Sequence, residues 1–264
     1  MNMIKNGDIV TRNSYQNDIL FYVEKIIDDN RGKIAILKGI TIRIEADSPV
    51  EDLKLSKDNG IKDNFNLLEK RVENFNNFED RSGSKYGKIL HIDGDKNYSE
   101  KTELYYKKRG LNYIVKHIAE YRQPENIIPL LRQSNPDVLV ITGHDGMIKR
   151  GRNYNDINNY RNSKHFIRAV KQARIYNANK NDLIIFAGAC QSFYEALISA
   201  GANFASSPAR ILIDFMDPLI VAESVSTTEK NKIIFMSDLE HKIRNGRKAV
   251  GGIGARGKKN VIQL

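Results

Sequence analysis

The sequence has a single cysteine, no tryptophan and no long apolar run in its 264 residues. One cysteine excludes an intrachain disulfide, and such cysteine usage is typical of an intracellular protein. No stretch approaches the roughly 18 continuous apolar residues of a membrane span, and the first residues lack the apolar core of a signal peptide. We therefore expect a soluble, cytoplasmic protein without a membrane partner.

The positive charge is unevenly distributed along the chain, whose formal net charge is +10. Residues 1–86 carry 14 Lys and Arg against 15 Asp and Glu, whereas residues 87–264 carry 28 against 17. The basic residues of the second part are scattered over helix faces and loops, without the interleaved aromatic residues of a single-strand binding groove. This distribution favours a solvated surface, and no nucleic-acid partner is expected.

Three regions differ in their sequence pattern. Residues 1–55 contain short strand-like runs with closely spaced turn signals, which predict a small SH3-like β-barrel. Residues 56–86 are rich in Lys, Asp, Asn and Glu, and they predict a polar, partly helical linker. Residues 87–264 alternate apolar strands with amphipathic helices, which predicts an α/β domain with a mostly parallel sheet covered by helices.

Two apolar strands of the third region end in residues that carry chemistry. The run DVLVITGHDG brings His144 to the end of one strand, and LIIFAGACQS brings Cys190 to the end of the next. The carboxyl ends of neighbouring parallel strands meet at one edge of a sheet, where an imidazole could take the proton of a thiol. A helix predicted after Cys190 would favour a thiolate and an oxyanion. The pattern predicts a Cys190–His144 dyad, and the alternative is a buried structural cysteine.

The other candidate groups fit catalysis less well. Ser206 and Ser207 lack the G-x-S-x-G pattern of a nucleophilic serine. No pair of histidines has metal-ligand spacing together with a second cysteine or an acidic cluster, so no metal is expected. The remaining histidines lie in predicted strands, in a basic helix or in a charged segment: His91, His117, His165 and His241.

The strand ends also carry a family resemblance. An apolar strand ending near His-Gly, followed by an apolar strand ending in Ala189-Cys190, resembles the caspase, gingipain and legumain group of cysteine peptidases. Here His144 is followed by Asp145, and the glycine comes one place later. The resemblance implies a caspase-like fold and an oxyanion hole made by the backbone amides of Asp145 and Cys190.

A second resemblance covers nearly the whole chain. The runs NGDIVTRNSYQNDILFYV, KILHIDGD, DVLVITGHDG, YRNSKHF, FAGACQSFYEALISAGANFASSPAR and GGIGARG resemble the YabG family of sporulation-specific peptidases. The resemblance implies an endopeptidase that acts in the mother cell of a sporulating bacterium and needs no cofactor. It also implies that the enzyme cleaves spore coat and related spore proteins after arginine residues, and that it can cleave itself. The alternative is a non-catalytic regulatory module that binds RNA or an acidic protein.

The acidic run HIDGD follows the first strand of the third region. The usual strand order places Asp93 and Asp95 beside His144, where the resembling peptidases form part of their specificity pocket. A buried carboxylate there could pair with the guanidinium of a substrate arginine. Asp214 and Asp217 are the competing acids for this role. The same run could instead form a magnesium or phosphoryl-acceptor site. Such a site also needs a lysine and further acidic residues nearby, and the sequence does not identify them.

Overall fold

The computed structural model describes residues 3–30, 32–56, 86–148 and 153–260. All of the predicted linker except Ser56 and Tyr86 lies outside these described residues.

The N-terminal region forms a five-stranded antiparallel sheet. Its strands are β1 (Ile9–Arg12), β2 (Phe21–Asp29), β3 (Gly32–Gly39), β4 (Glu45–Pro49) and β5 (Leu53–Leu55). Their order is β4-β3-β2-β1-β5, so β4 and β5 form the two edges of an open sheet.

The second sheet has six strands and is mixed. They are β6 (Ile89–Asp93), β7 (Tyr113–His117), β8 (Val138–Thr142), β9 (Ile184–Ala187), β10 (Phe204–Ser206) and β12 (Val250–Gly252). The order is β12-β10-β9-β8-β6-β7. Strand β12 pairs antiparallel with β10, and the other neighbours pair in parallel. A two-stranded ladder joins β11 (Ile233–Ile234) to β13 (Ala255–Arg256).

Helices cover both faces of the mixed sheet. They are α1 (Lys96–Lys108), α2 (Gln123–Ser134), α3 (Ser163–Tyr176), α4 (Tyr194–Ala200), α5 (Asp217–Thr227) and the short α6 (Met236–Leu239). Apolar residues of α2, α3 and α4 pack in one core with Leu139 and Ile141 of β8. Val138 and Val140 point to the opposite face because side chains alternate along a strand. There they share a second core with α1, α5 and the N-terminal sheet.

The predicted fold class is wrong. The short strands predicted a small SH3-like barrel, and the family resemblance implied a caspase-like fold with a mostly parallel sheet, whereas the structure has an open antiparallel sheet and a mixed sheet. Short strands and turn signals predict an antiparallel sheet, but they do not determine whether its two edge strands meet. The antiparallel strand β12 comes from the glycine-rich run near the C-terminus, whose apolar stretch is too short to predict a strand.

Candidate active site

Three predicted site residues lie at one edge of the mixed sheet. Strands β6, β8 and β9 are parallel neighbours, with Asp93 paired to Thr142 at the ends of β6 and β8. His144 follows the end of β8 by two residues, and Cys190 follows the end of β9 by three. The side chains of Asp93, His144 and Cys190 are fully buried. The structure thus places all three residues at the carboxyl ends of neighbouring parallel strands.

A segment of the N-terminal sheet crosses these strand ends. Residues 39–45, here called the crossing segment, connect β3 to β4. Ile42 forms an antiparallel bridge with Asp214, and Ile44 forms a parallel bridge with Asp145. The amide of Glu45 donates to the carbonyl of Asp145 at 2.8 Å. The crossing segment is therefore held through its backbone on both sides of Arg43.

The carbonyl oxygen of Arg43 accepts two hydrogen bonds from the strand ends. One comes from the backbone amide of Asp145 and the other from the backbone amide of Cys190, each at 3.2 Å. Two amides that converge on one carbonyl oxygen form the arrangement that stabilises a developing oxyanion in acyl transfer. The same two amides are those expected for the oxyanion hole.

The side chain of Arg43 fills a closed pocket beside this carbonyl. Its guanidinium is fully buried, and Nη1 donates to Oδ2 of Asp93 at 2.6 Å. The guanidinium carbon lies 4.5 Å from the ring centre of Tyr98 and 5.3 Å from that of Phe215. Burial alone would raise the pKa of Asp93, but the adjacent guanidinium outweighs burial and holds this pKa well below its usual range. Asp93 is therefore an ionised partner for arginine.

The thiol of Cys190 is enclosed. Its Sγ accepts the amide of Ile213 at 3.2 Å and lies 3.8 Å from the carbonyl oxygen of the same residue. Burial raises the pKa of Cys190 to about 12, with the Ile213 amide acting in the opposite direction. While the crossing segment is in place, the sulfur is therefore held as a neutral thiol.

Alkylation of Cys190 in the intact chain is expected to be slow at neutral pH. Only the thiolate reacts, and a pKa of about 12 leaves roughly 10³-fold less thiolate at pH 7 than an unperturbed thiol has. The rate should still rise roughly tenfold per pH unit between about pH 10 and 11, where the thiol of the unfolded chain is already almost fully ionised. Mass spectrometry of iodoacetamide-treated protein, native and in urea, measures both rates on molecules that have the full-length mass. Equal rates at pH 7 would contradict the enclosed thiol.

The imidazole of His144 is oriented by the crossing segment. Nε2 lies 3.1 Å from the carbonyl oxygen of Gly39, and because a carbonyl can only accept, Nε2 carries the proton. In the neutral imidazole Nδ1 is then the nitrogen without a proton. It has no hydrogen-bond partner among the described residues and lies 3.9 Å from a carboxylate oxygen of Asp95 and 3.9 Å from one of Glu120. The backbone amide of His144 donates to Glu120 at 2.8 Å. This tautomer leaves Nδ1 free to accept a proton.

The carboxylate of Asp145 is directed away from the Arg43 carbonyl. It accepts the amides of Gly146 and Asn162 at 2.9 and 2.8 Å, and the hydroxyls of Ser163 and Ser192. Burial raises the pKa of Asp145 against these hydrogen bonds, which favour the charged form. Only the backbone amide of Asp145 faces the candidate oxyanion hole. The side chain fixes the loop after β8 onto the start of α3.

The four acids considered for the arginine pocket occupy different places. Asp93 contacts the guanidinium of Arg43, whereas Asp95 accepts the amide of Tyr98 at the start of α1 and lies 3.9 Å from Nδ1 of His144. Asp214 lies 3.8 Å from the guanidinium of Arg244, and Asp217 accepts the amide of Asp214. Asp93 therefore differs from the other three acids in accepting a hydrogen bond from the guanidinium of Arg43.

Sequence reasoning missed the crossing segment and Glu120. The run TIRIEAD alternates apolar and polar residues, so it predicts a strand, and nothing in it marks Arg43 as buried against another sheet. Glu120 is buried beneath Gly94 and Gly143, where any added Cβ would collide with its carboxylate. The sequence did contain one signal for this packing. Gly94 and Gly143 directly follow two neighbouring strands, and a glycine at both positions indicates that another side chain packs against them.

Two searches of the described residues are negative. Within residues 3–30, 32–56, 86–148 and 153–260, no three His, Cys, Asp or Glu residues are grouped so that they could hold a metal ion. No helix in these ranges is long and apolar enough to cross a membrane.

Comparisons with known proteins agree with the resemblance in the sequence. The family model described as YabG peptidase U57 matches residues 5–262. A curated relative, the sporulation-specific protease YabG of Bacillus subtilis (strain 168), is 37% identical over 274 residues, which cover 95% of this chain and 94% of the relative. No solved structure gives a significant match. The chain therefore belongs to the YabG family of peptidases, peptidase U57.

Proposed function

We propose that this peptidase is a cysteine endopeptidase that cleaves after arginine, with Cys190 as nucleophile and His144 as base. One observation carries the proposal. The carbonyl of Arg43 accepts the amides of Asp145 and Cys190 while its guanidinium pairs with Asp93. A peptide bond after an arginine is thus bound in the way that a substrate bond would be.

In the proposed reaction the thiol is the nucleophile and the imidazole transfers the proton. Nδ1 of His144 takes the proton of Cys190 as Sγ attacks the carbonyl carbon after arginine. The amides of Asp145 and Cys190 hold the resulting oxyanion. His144 then gives the proton to the leaving amine, the C–N bond breaks, and water hydrolyses the thioester. The carbonyl of Gly39 is a positioning group, because it holds the proton on Nε2 and keeps Nδ1 as the acceptor. No step requires a metal or a cofactor.

The proposed substrates are proteins of the developing spore. The curated relative is named a sporulation-specific protease, and its identity with this chain extends over both sheets. We propose that this chain acts in the mother cell of a sporulating bacterium, processes spore coat and related spore proteins, and processes itself. Asp93 selects the substrate arginine in this scheme, because it is the acid that meets the guanidinium of Arg43.

Hydrolysis of short fluorogenic peptides tests the proposed reaction. Peptides ending in arginine before the dye should be hydrolysed at least roughly 10²-fold faster than matched lysine peptides, because only the planar guanidinium reproduces the fit of Arg43. A metal chelator should leave the rate unchanged, whereas modification of Cys190 should remove it. Inhibition by chelator that zinc reverses would contradict a cysteine mechanism, and equal rates on both peptides would contradict the arginine pocket.

A further inference from the structure

We infer that the bond between Arg43 and Ile44 is the bond that this chain cleaves in itself. The inference rests on the proposed function and adds to it the position of the cut. It identifies residues 39–45 as a built-in substrate, which occupies the active site until it is cut.

Contacts from three elements converge on Arg43. Its carbonyl lies in the candidate oxyanion hole after β8 and β9, and its guanidinium meets Asp93 at the end of β6. The flanking Ile42 and Ile44 form backbone bridges to Asp214 and Asp145. Backbone pairing on both sides of a residue whose side chain fills a pocket is the pattern of a bound extended peptide. The segment thus places the carbonyl of Arg43 against the backbone amide of Cys190, the residue that carries the proposed nucleophile.

A purely structural role explains the burial of Arg43 less well. Among the described residues only Nη1 has a hydrogen-bond partner. Nε and Nη2 are buried without one, and the guanidinium otherwise meets the rings of Tyr98 and Phe215. A buried guanidinium that uses one of its three nitrogens is poorly compensated for the water it has lost. A pocket that selects arginine and later releases it does not need complete pairing. The incomplete pairing therefore favours a bound substrate over a permanent ion pair.

The chemistry at this bond is balanced with water as the only co-reactant. Sγ of Cys190 bonds to the carbonyl carbon of Arg43, and the thiol proton passes to Nδ1 of His144. That proton then goes to the nitrogen of Ile44, which leaves as a free amine. Water attacks the thioester, giving Arg43 a new carboxylate and returning the thiol to Cys190.

The sheet itself limits what happens after the cut. Residues 34–38 of β3 remain paired with residues 45–49 of β4, and β5 remains paired with β1. Residues 1–43 are therefore expected to stay attached to residues 44–264, while the end of the crossing segment loses its covalent tie and can leave the site. Hydrolysis of added peptides should consequently begin with a lag that matches the appearance of the cut.

Freshly purified wild-type protein and its Cys190→Ala variant give the first test, by intact mass and N-terminal sequencing. The wild-type protein should yield residues 1–43 and a chain that begins Ile44-Glu45-Ala46, and the alanine variant should remain whole. Arg43→Lys should slow this cut by roughly 10²-fold. Arg12→Lys, in β1 of the same sheet, is the matched control and should be cut at the wild-type rate. Circular dichroism checks that each variant is folded.

A synthetic peptide of residues 38–49 gives a second test that does not depend on the folding of a variant. The cut wild-type protein should hydrolyse it between Arg43 and Ile44. If the wild-type protein hydrolyses arginine peptides while its own Arg43–Ile44 bond stays intact, the inference is wrong and the proposed function stands. If it hydrolyses neither arginine peptides nor its own chain, the proposed function fails as well. A cut only at another arginine would also overturn the inference.

Discussion

Replacement of Cys190 by alanine is expected to lower peptide hydrolysis by roughly 10⁴-fold or more, because the variant has no atom that can form the thioester. The fold should survive, since alanine fills most of the buried space and the hydrogen bonds of the thiol among the described residues are those with Ile213. The measurement is the rate on an arginine peptide, with thermal unfolding as the check on folding.

His144→Ala should cause a loss of similar size, because the proposed mechanism needs the thiol and the imidazole together. The double variant should then be little worse than either single variant. His165→Ala is a matched control on α3, where the imidazole is partly exposed, unlike the fully buried imidazole of His144. Full activity in His144→Ala together with loss in His165→Ala would disprove the dyad.

Asp93→Asn is expected to lower kcat/KM for arginine peptides by roughly 10²-fold, because removing a charged partner from a desolvated site costs about 2 to 5 kcal/mol. A citrulline peptide has the shape of arginine without its charge, so its hydrolysis should be nearly unaffected by the substitution. The ratio of the two rates is the quantity to compare. It cancels any change in how strongly the crossing segment occupies the site, since both peptides meet the same occupied fraction.

Asp95→Asn is the matched control for the arginine pocket. It makes the same chemical change two residues away, at a carboxylate that meets α1 and the imidazole rather than the guanidinium. The variant can change the rate on both peptides, but it should leave their ratio as in the wild type. The ratio of the arginine rate to the citrulline rate could instead be unchanged in Asp93→Asn and reduced in Asp214→Asn or Asp217→Asn. That result would show that one of those two acids, rather than Asp93, binds the substrate arginine.

The strand ends could be predicted because their signal is local. Runs of apolar residues identify β8 and β9, and the parallel order of neighbouring strands brings His144 and Cys190 to one edge. The position of Asp93 followed from the same order. Its separation from Asp95 did not, because two acids two residues apart on a strand end differ only in what packs against them.

The crossing segment could not be predicted because it depends on contacts between the two sheets. Arg43 is separated from Asp93 by 50 residues of chain and from Cys190 by far more, and no periodicity relates them. The same limit explains the error in fold class. Whether the edge strands β4 and β5 close into a barrel, and whether the final strand joins antiparallel, are decided by packing between distant segments.

Covalent trapping tests most directly the claim that the thiol of Cys190 attacks the carbonyl after arginine. Protein that has completed its own cut is incubated with a peptidyl chloromethyl ketone that carries arginine next to the reactive group, and its mass is then measured. We expect one adduct per chain, located on Cys190 by peptide mapping, with a matched leucine reagent reacting far more slowly. No adduct, or an adduct that maps to a residue other than Cys190, would contradict the account.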